Sequence, residues 1–235
     1  GNPLYDDFMF VEAELGGTLP LEVIVDARIE DASLSLEILD KIQSFKNEIL
    51  KIHEINTAVT AGDYLMLINE ELGSGERKLP DTEDEVLSFV FDYDRMQMYL
   101  NDDYSKSRIS CRIPDMPYEQ AMLIRDEILQ KGKRIFGNNV DIKVTGSTLL
   151  ALSTNRHLVK NLTFSFIIAF VIIFLSMVLL FRSFRLGLIS VLPNIIPLMI
   201  AGGMMGLLDI KLRPSTAMTF SIALGIAVDN TIHFL

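Results

Sequence analysis

A single cysteine, Cys111, in 235 residues rules out an internal disulfide. It lies in the alternating run Arg108-Ile-Ser-Cys-Arg-Ile113, so a buried structural thiol in a strand is expected. The chain also lacks a phosphate-cradling GxxxxGK[ST] loop, which argues against ATP-driven work within it. His53 and His157 have no Cys or His at ligand spacing, and no catalytic set is visible. Neither an enzyme nor a resident metal or organic cofactor is expected. Basic residues are outnumbered, 21 against 31 acidic, for a net charge of −10. That balance argues against nucleic acid as a partner, because phosphate binding needs a basic patch. Gly1-Asn-Pro has neither an initiator Met nor a signal-peptide pattern, and Phe234-Leu235 has no polar flank, so a piece of a larger protein is expected.

The average charge hides two unlike parts. Residues 151–235 hold six Lys or Arg and two acids, which leaves residues 1–150 with a net charge of −14. An acidic water-facing domain, 1–150, is thus joined to a slightly basic apolar region, 151–235. Leu162 to Phe181 is uncharged and long enough for about 30 Å of hydrocarbon. Arg182-Ser-Phe-Arg185 predicts a tight turn, and Leu186 to Leu208 is a second uncharged run, broken by Pro193, Asn194 and Pro197. Pro214 opens a third run that reaches Leu235. Three transmembrane helices are therefore expected, at about 155–181, 186–208 and 214–235, packed as an irregular bundle. Gly202 and Gly206 form a small-xxx-small pair that permits close helix approach. The short basic Arg182/Arg185 turn reads as cytoplasmic, which puts residues 1–150 outside.

Within the first part, Leu19 to Ala27 alternates like a strand, Ser33 to Lys51 has helical spacing, and Glu54 to Thr60 reads as a short strand. The order recurs as strand Ser107 to Ile113, helix Tyr118 to Phe136 and strand Val140 to Gly146. Two β-α-β units in tandem predict an α+β, ferredoxin-like sandwich. Helices are expected at Asp63 to Leu72 and Asp84 to Tyr99, with Gly73 to Pro80 as a loop between them. Met66, Met96 and Met98 read either as lining for a lipid-accepting cleft or as ordinary core. The acidic pairs Asp6-Asp7, Glu70-Glu71 and Asp102-Asp103 read as solvated surface.

The chemistry-bearing feature is Gly225-Ile-Ala-Val-Asp229-Asn230-Thr-Ile-His233, deep in the third apolar run. A carboxylate at that depth costs about 2.5–3.5 kcal/mol on insertion scales, and such residues usually handle ions or protons. On a helix, Ser221, Gly225, Asp229 and His233 lie along one ridge. Gly225 lets another helix approach the acid, Asn230 can donate to or accept from either protonation state, and His233 can pass a proton one turn on. No basic residue of the chain lies at matching depth, so a partner group comes from elsewhere or from water.

At these residues the chain resembles the resistance-nodulation-division (RND) superfamily, in its MMPL-like and hopanoid-exporter-like branch. The resemblance rests on a β-α-β domain ending in Val144-Thr-Gly-Ser147, the Phe181 to Arg185 turn, Pro193-Asn-Ile-Ile-Pro197, and Gly225-x-x-x-Asp229. It implies a ferredoxin-like extracytoplasmic porter domain followed by part of a transmembrane domain. It further implies a bacterial inner-membrane exporter of lipids or other hydrophobic molecules, with Asp229 as proton carrier and the proton as coupling ion. Asn230 stands where relatives often have a second Asp, which bears on the number of protons per cycle. The implied partners are membrane lipids or a hydrophobic substrate, the second half of the same transporter, and a homo-oligomer. Two alternatives stay open: a membrane lipid or sterol sensor without net transport, and a protein-translocation accessory of the SecD and SecF kind.

Overall fold

The computed structural model describes residues 17–92 and 94–208, together with Asp7, Phe10, Thr216, Met218, Thr219, Ile222, Ala223, Gly225 and Ile226. The chain divides into two compact units, Gly1–Leu152 and Ser153–Leu235.

The first unit is α+β. Strand β1, Leu19–Asp26, buries Leu21, Val23 and Val25 and turns Glu22, Ile24 and Asp26 to the other face, as a period of two requires. Gly17 precedes it at φ 126°, and a Cβ there would lie 2.4 Å from the Ile113 carbonyl carbon, so only glycine fits. A short 3-10 turn, Ala32–Leu34, leads to α1, Leu36–Ile49, whose N-terminus Ser35 caps by accepting from the Ile38 amide. Strand β2, Thr57–Val59, is followed by α2, Ala61–Leu72, and α3, Glu83–Asp92. Strand β3, Lys106–Ile113, helix α4, Tyr118–Phe136, and strand β4, Asp141–Thr145, complete the unit.

The four strands lie in the order β2-β3-β1-β4, and every neighbouring pair is antiparallel. In each β-α-β segment the two strands are therefore not neighbours. β3 separates β1 from β2, and β1 separates β3 from β4. The buried face of the sheet carries Leu21, Val23, Val25, Ile109, Cys111 and Ile113. Against it pack Ile42, Phe45 and Ile49 of α1 and Ala121, Ile124, Ile128 and Phe136 of α4. With the buried Gly132, the α4 positions recur every three or four residues, one helical face. Phe45 and Phe136 meet edge to face with centroids 5.6 Å apart. A second cluster, with Leu34, Leu65, Val86, Val90 and Met96 at its centre, holds α2 and α3.

The structure shortens or splits two expected elements. The strand foreseen at Glu54 to Thr60 is only Thr57–Val59, because just those residues pair, with Arg112 to Ser110 of β3. The helix foreseen at Asp84 to Tyr99 becomes α3 and a 3-10 turn, Asp94–Met98.

The remaining described elements are two long helices. Gly146, at φ 125° and with a virtual Cβ 3.1 Å from the Pro20 carbonyl, makes the turn from β4 into α5, Ser147–Phe181. This helix starts some eight residues before the expected position, since Ser147 to Ala151 contains no breaker and Leu149 is buried in the first unit's core. Arg182 in the left-handed region, φ 49°, and Ser183 form the whole turn into α6, Phe184–Leu207. Ser183 caps α6 by accepting from the Leu186 amide. Arg185, expected in the turn, lies in the helix.

Pro193 and Pro197 were expected to interrupt this span, yet α6 runs through both. Each proline removes one amide donor, which frees the carbonyls four residues earlier. In membranes, helices tolerate this where neighbours re-satisfy those groups.

Candidate functional site

The expected proton-handling residues divide sharply. Asp229, Asn230, His233 and Ser221 lie outside the described residues. Gly225 is helical, as are Thr216, Met218, Thr219, Ile222, Ala223 and Ile226 around it. Gly202 and Gly206 both lie in α6, one turn apart, and a Cβ built on Gly206 or Gly225 meets nothing within 4 Å among the described residues.

The two long helices that precede that segment have the properties a bilayer demands. α5 and α6 are both long and apolar enough to cross a membrane. Only 6% and 7% of their most apolar windows are buried within the chain, whereas a core helix of a soluble protein would be mostly covered. Leu175, Leu179 and Leu180 of α5 and Met199, Met204 and Leu207 of α6 are exposed. Contact between the two helices is local: the Phe174 and Phe184 rings meet edge to face at 5.2 Å, and Met177 is buried. At 35 residues, α5 exceeds the length a bilayer core needs. Its surplus is the polar stretch containing Arg156, His157 and Lys160.

Two polar constellations in the first unit were not foreseen. One joins α1 to the start of α2. The Thr60 side chain accepts from the Asp63 amide at 3.3 Å, and an Asp63 carboxylate oxygen accepts from the Thr60 amide at 2.8 Å, a reciprocal capping box. Gln43 Nε2 donates to the buried Thr60 hydroxyl at 3.0 Å, and the Lys46 ammonium pairs with Asp63. Thr60-x-x-Asp63 was the available sequence signal. Beside this network is an open cleft of about 310 Å³, with Val59, Tyr64 and Leu67 as apolar lining and Arg77 at its margin. Its volume is at the small end for ligand pockets. Lys46 is paired with Asp63, which leaves Arg77 as the remaining charge of the lining.

The second constellation is on the outer sheet face. Glu22 Oε1 accepts from the Ser110 hydroxyl at 3.0 Å, Arg108 Nε approaches Glu22 Oε2 at 3.6 Å, and the guanidinium sits 5.6 Å from the Tyr99 ring centroid. Burial, then the neighbouring Tyr64 hydroxyl, pushes the Tyr99 phenol up to about 12. Cross-strand pairing explains the juxtaposition, since Glu22 stands opposite Ser110 and two pairs from Arg108, on the same face. Glu22 Oε1 is satisfied by Ser110, whereas Glu22 Oε2 and Arg108 Nε are buried with no hydrogen-bond partner among the described residues and face each other only as a long ion pair.

The methionines do not line a common cleft. Met96 is fully buried in the second cluster, whereas Met98 is 59% exposed. Cys111 is buried as expected, and desolvation pushes its thiol up to about 12. His53, His157, Glu70, Glu71, Asp102 and Asp103 are exposed. Asp103 also organises its turn: it accepts from the Ser105 amide at 3.1 Å and hydroxyl at 2.6 Å, which hold its carboxyl below the usual range. No group of three or more potential metal ligands occurs among the described residues.

No protein-family model matches the chain. The whole chain is similar, at 23% identity over 243 residues, to a protein of Methanocaldococcus jannaschii known by the name "Putative membrane protein". The chain covers 61% of that relative's length. With the exposure and apolarity of α5 and α6, this similarity supports membrane-protein character.

Proposed function

We propose that this chain is part of a proton-motive-force-driven exporter of lipids or other hydrophobic molecules, of the RND kind. In this reading the first unit is a ferredoxin-like porter domain outside the cytoplasm, and the apolar helices belong to a transmembrane domain in which Asp229 loads and releases protons. One observation carries the proposal: a lone carboxylate, with a glycine one turn before it and a histidine one turn after, inside an apolar run that follows two membrane-length helices. The strand order β2-β3-β1-β4, with each β-α-β unit split by an intervening strand, supports the porter reading. Protonation of Asp229 neutralises a charge in hydrocarbon, changes which helix packing is favoured, and biases the porter domain by shifting populations.

The test is efflux from cells or vesicles carrying the full-length protein. Asp229→Asn is expected to abolish export while the protein still inserts and folds, and a protonophore is expected to stop the unmodified protein. Undiminished export by the variant sinks the proton-carrier role. Hydrophobic-ligand binding without gradient-dependent efflux would favour the sensor alternative, and rescue of protein secretion would favour the translocation accessory.

A further inference from the structure

We propose that the cleft beside β2 and α2 binds a small organic carboxylate with an apolar body, and that Lys46 and Arg77 take its anionic end. The site is independent of the exporter reading, since every residue in it belongs to the first unit. Its size sets the ligand apart from a bilayer lipid. A cleft of about 310 Å³ holds about ten non-hydrogen atoms, if each takes the volume of a water molecule, about 30 Å³.

The balance of donors and acceptors on the polar wall calls for an anion. Asp63 is the carboxylate of the lining, and both its oxygens are engaged within the chain. Oδ2 accepts from the Thr60 amide at 2.8 Å and from the Thr60 hydroxyl at 3.0 Å. Oδ1 accepts from the Lys46 ammonium and lies 3.5 Å from Gln43 Nε2. A carboxylate has about four acceptor positions, so Asp63 has none left for a ligand. Lys46 and Arg77 differ in this respect. An ammonium has three donors, of which Asp63 takes one, and a guanidinium has five. Glu70 lies 3.9 Å from Arg77 Nη1, an ion pair beyond hydrogen-bond reach. The remaining capacity of the wall is donor capacity, and two cations against one acid leave the lining with a single positive charge. A monoanion matches it. The first unit's overall negative charge is screened beyond about 8 Å at physiological ionic strength, so these local groups set the preference.

Buried side chains hold the donors in place. Gln43 donates to Thr60 Oγ1 at 3.0 Å, and it fits because residue 62 is glycine: a Cβ there would lie 2.4 Å from Gln43 Nε2. Asn69, only 3% exposed, accepts from the Ser74 amide at 3.1 Å and donates to the Lys78 carbonyl at 3.0 Å, which pins the loop that carries Arg77. The rest of the lining is apolar, from Val59, Leu67 and the Tyr64 ring, which is itself set against Tyr99 with centroids 5.3 Å apart. Donors fixed beside an apolar wall select a ligand that has both an acceptor end and a hydrophobic one.

The test dialyses full-length protein in lipid nanodiscs to equilibrium against radiolabelled 3-phenylpropanoate, with empty nanodiscs as the blank. Saturable binding of one probe per chain is expected, with the neutral 3-phenylpropanamide binding about tenfold more weakly because it loses the charge-assisted hydrogen bonds. Arg77→Gln and Leu67→Asp alter exposed side chains outside both hydrophobic clusters, and each should weaken binding of the acid about tenfold. Lys133→Gln removes a cation that does not line the cleft and should leave binding unchanged. Equal binding of acid and amide, binding that neither cleft variant weakens, or no saturable uptake above the blank overturns the proposal.

Discussion

Gly132 lies where α4 crosses the sheet and α1, and an alanine there tests how tightly those layers are packed. A Cβ at this position would come within 2.3 Å of Ile142 Cδ1 and 3.0 Å of Phe45 Cζ. Two effects of opposite sign compete. Replacing glycine by alanine in a helix interior gains about 1 kcal/mol, while overpacking a well-filled core costs about 1–3 kcal/mol. Ile142 can yield, because the contact is with the end of a flexible side chain on the edge strand β4. Phe45 cannot, because it is fully buried and wedged edge to face against Phe136. The contact therefore outweighs the propensity gain, and Gly132→Ala should lose about 1 kcal/mol, or about 2–4 °C in Tm for a unit of this size. Ile142→Val removes the Cδ1 atom and alone should cost about 0.5–1.5 kcal/mol. In the double variant the losses should fall short of their sum by about 0.5–1 kcal/mol, since the closest contact is gone. Urea unfolding of residues 1–152, which contain both hydrophobic clusters, measures all four corners of the cycle. A Gly132→Ala protein that gains the full helix increment, with strictly additive behaviour in the double variant, refutes the close-packing argument.

Thr60→Ala removes the cap of α2 and leaves Gln43 Nε2 without its hydroxyl acceptor, so a loss of about 1–2 kcal/mol is expected in the same unfolding assay. Cys111 should resist maleimide at pH 8 in the native protein and react fully in urea, because it is 0% exposed and its thiol is held neutral. Its folded value lies above the ordinary 9.0, so its contribution to stability is complete below pH 9 and is lost as pH rises toward 12. Cys111→Ala should abolish that part of the alkaline fall, as followed by urea midpoints at several pH values. With Cys111 silent, single cysteines report sidedness: a membrane-impermeant maleimide applied to intact cells should label Glu76→Cys and spare Ser183→Cys. The reverse pattern overturns the orientation drawn from Arg182 and Arg185.

The parts of the fold that were legible in the sequence are those where one periodicity dominates over a long stretch. The helix expected from Tyr118 to Phe136 has those bounds in the structure, and the strand expected from Leu19 to Ala27 is Leu19–Asp26. Both bury a single regular face, so local pattern and tertiary packing ask for the same backbone. Discrepancies arise where a distant contact decides. β2 is short because only three of its residues find partners on β3, and α5 begins early because Leu149 is buried in the core beneath it. Neither contact leaves a trace in the neighbouring residues.

The side-chain networks divide in the same way. Thr60-x-x-Asp63 is a local signature that could have been recognised, but Lys46 reaches it from seventeen residues away, and Glu22 meets Ser110 across 88. The proposed proton site is the opposite case. Asp229 is conspicuous in the sequence because its medium makes a charge costly, and that argument depends on the length and apolarity of the surrounding run rather than on any particular neighbour. The chain itself brings no cation to that depth, so what balances the acid must come from residues beyond it or from water.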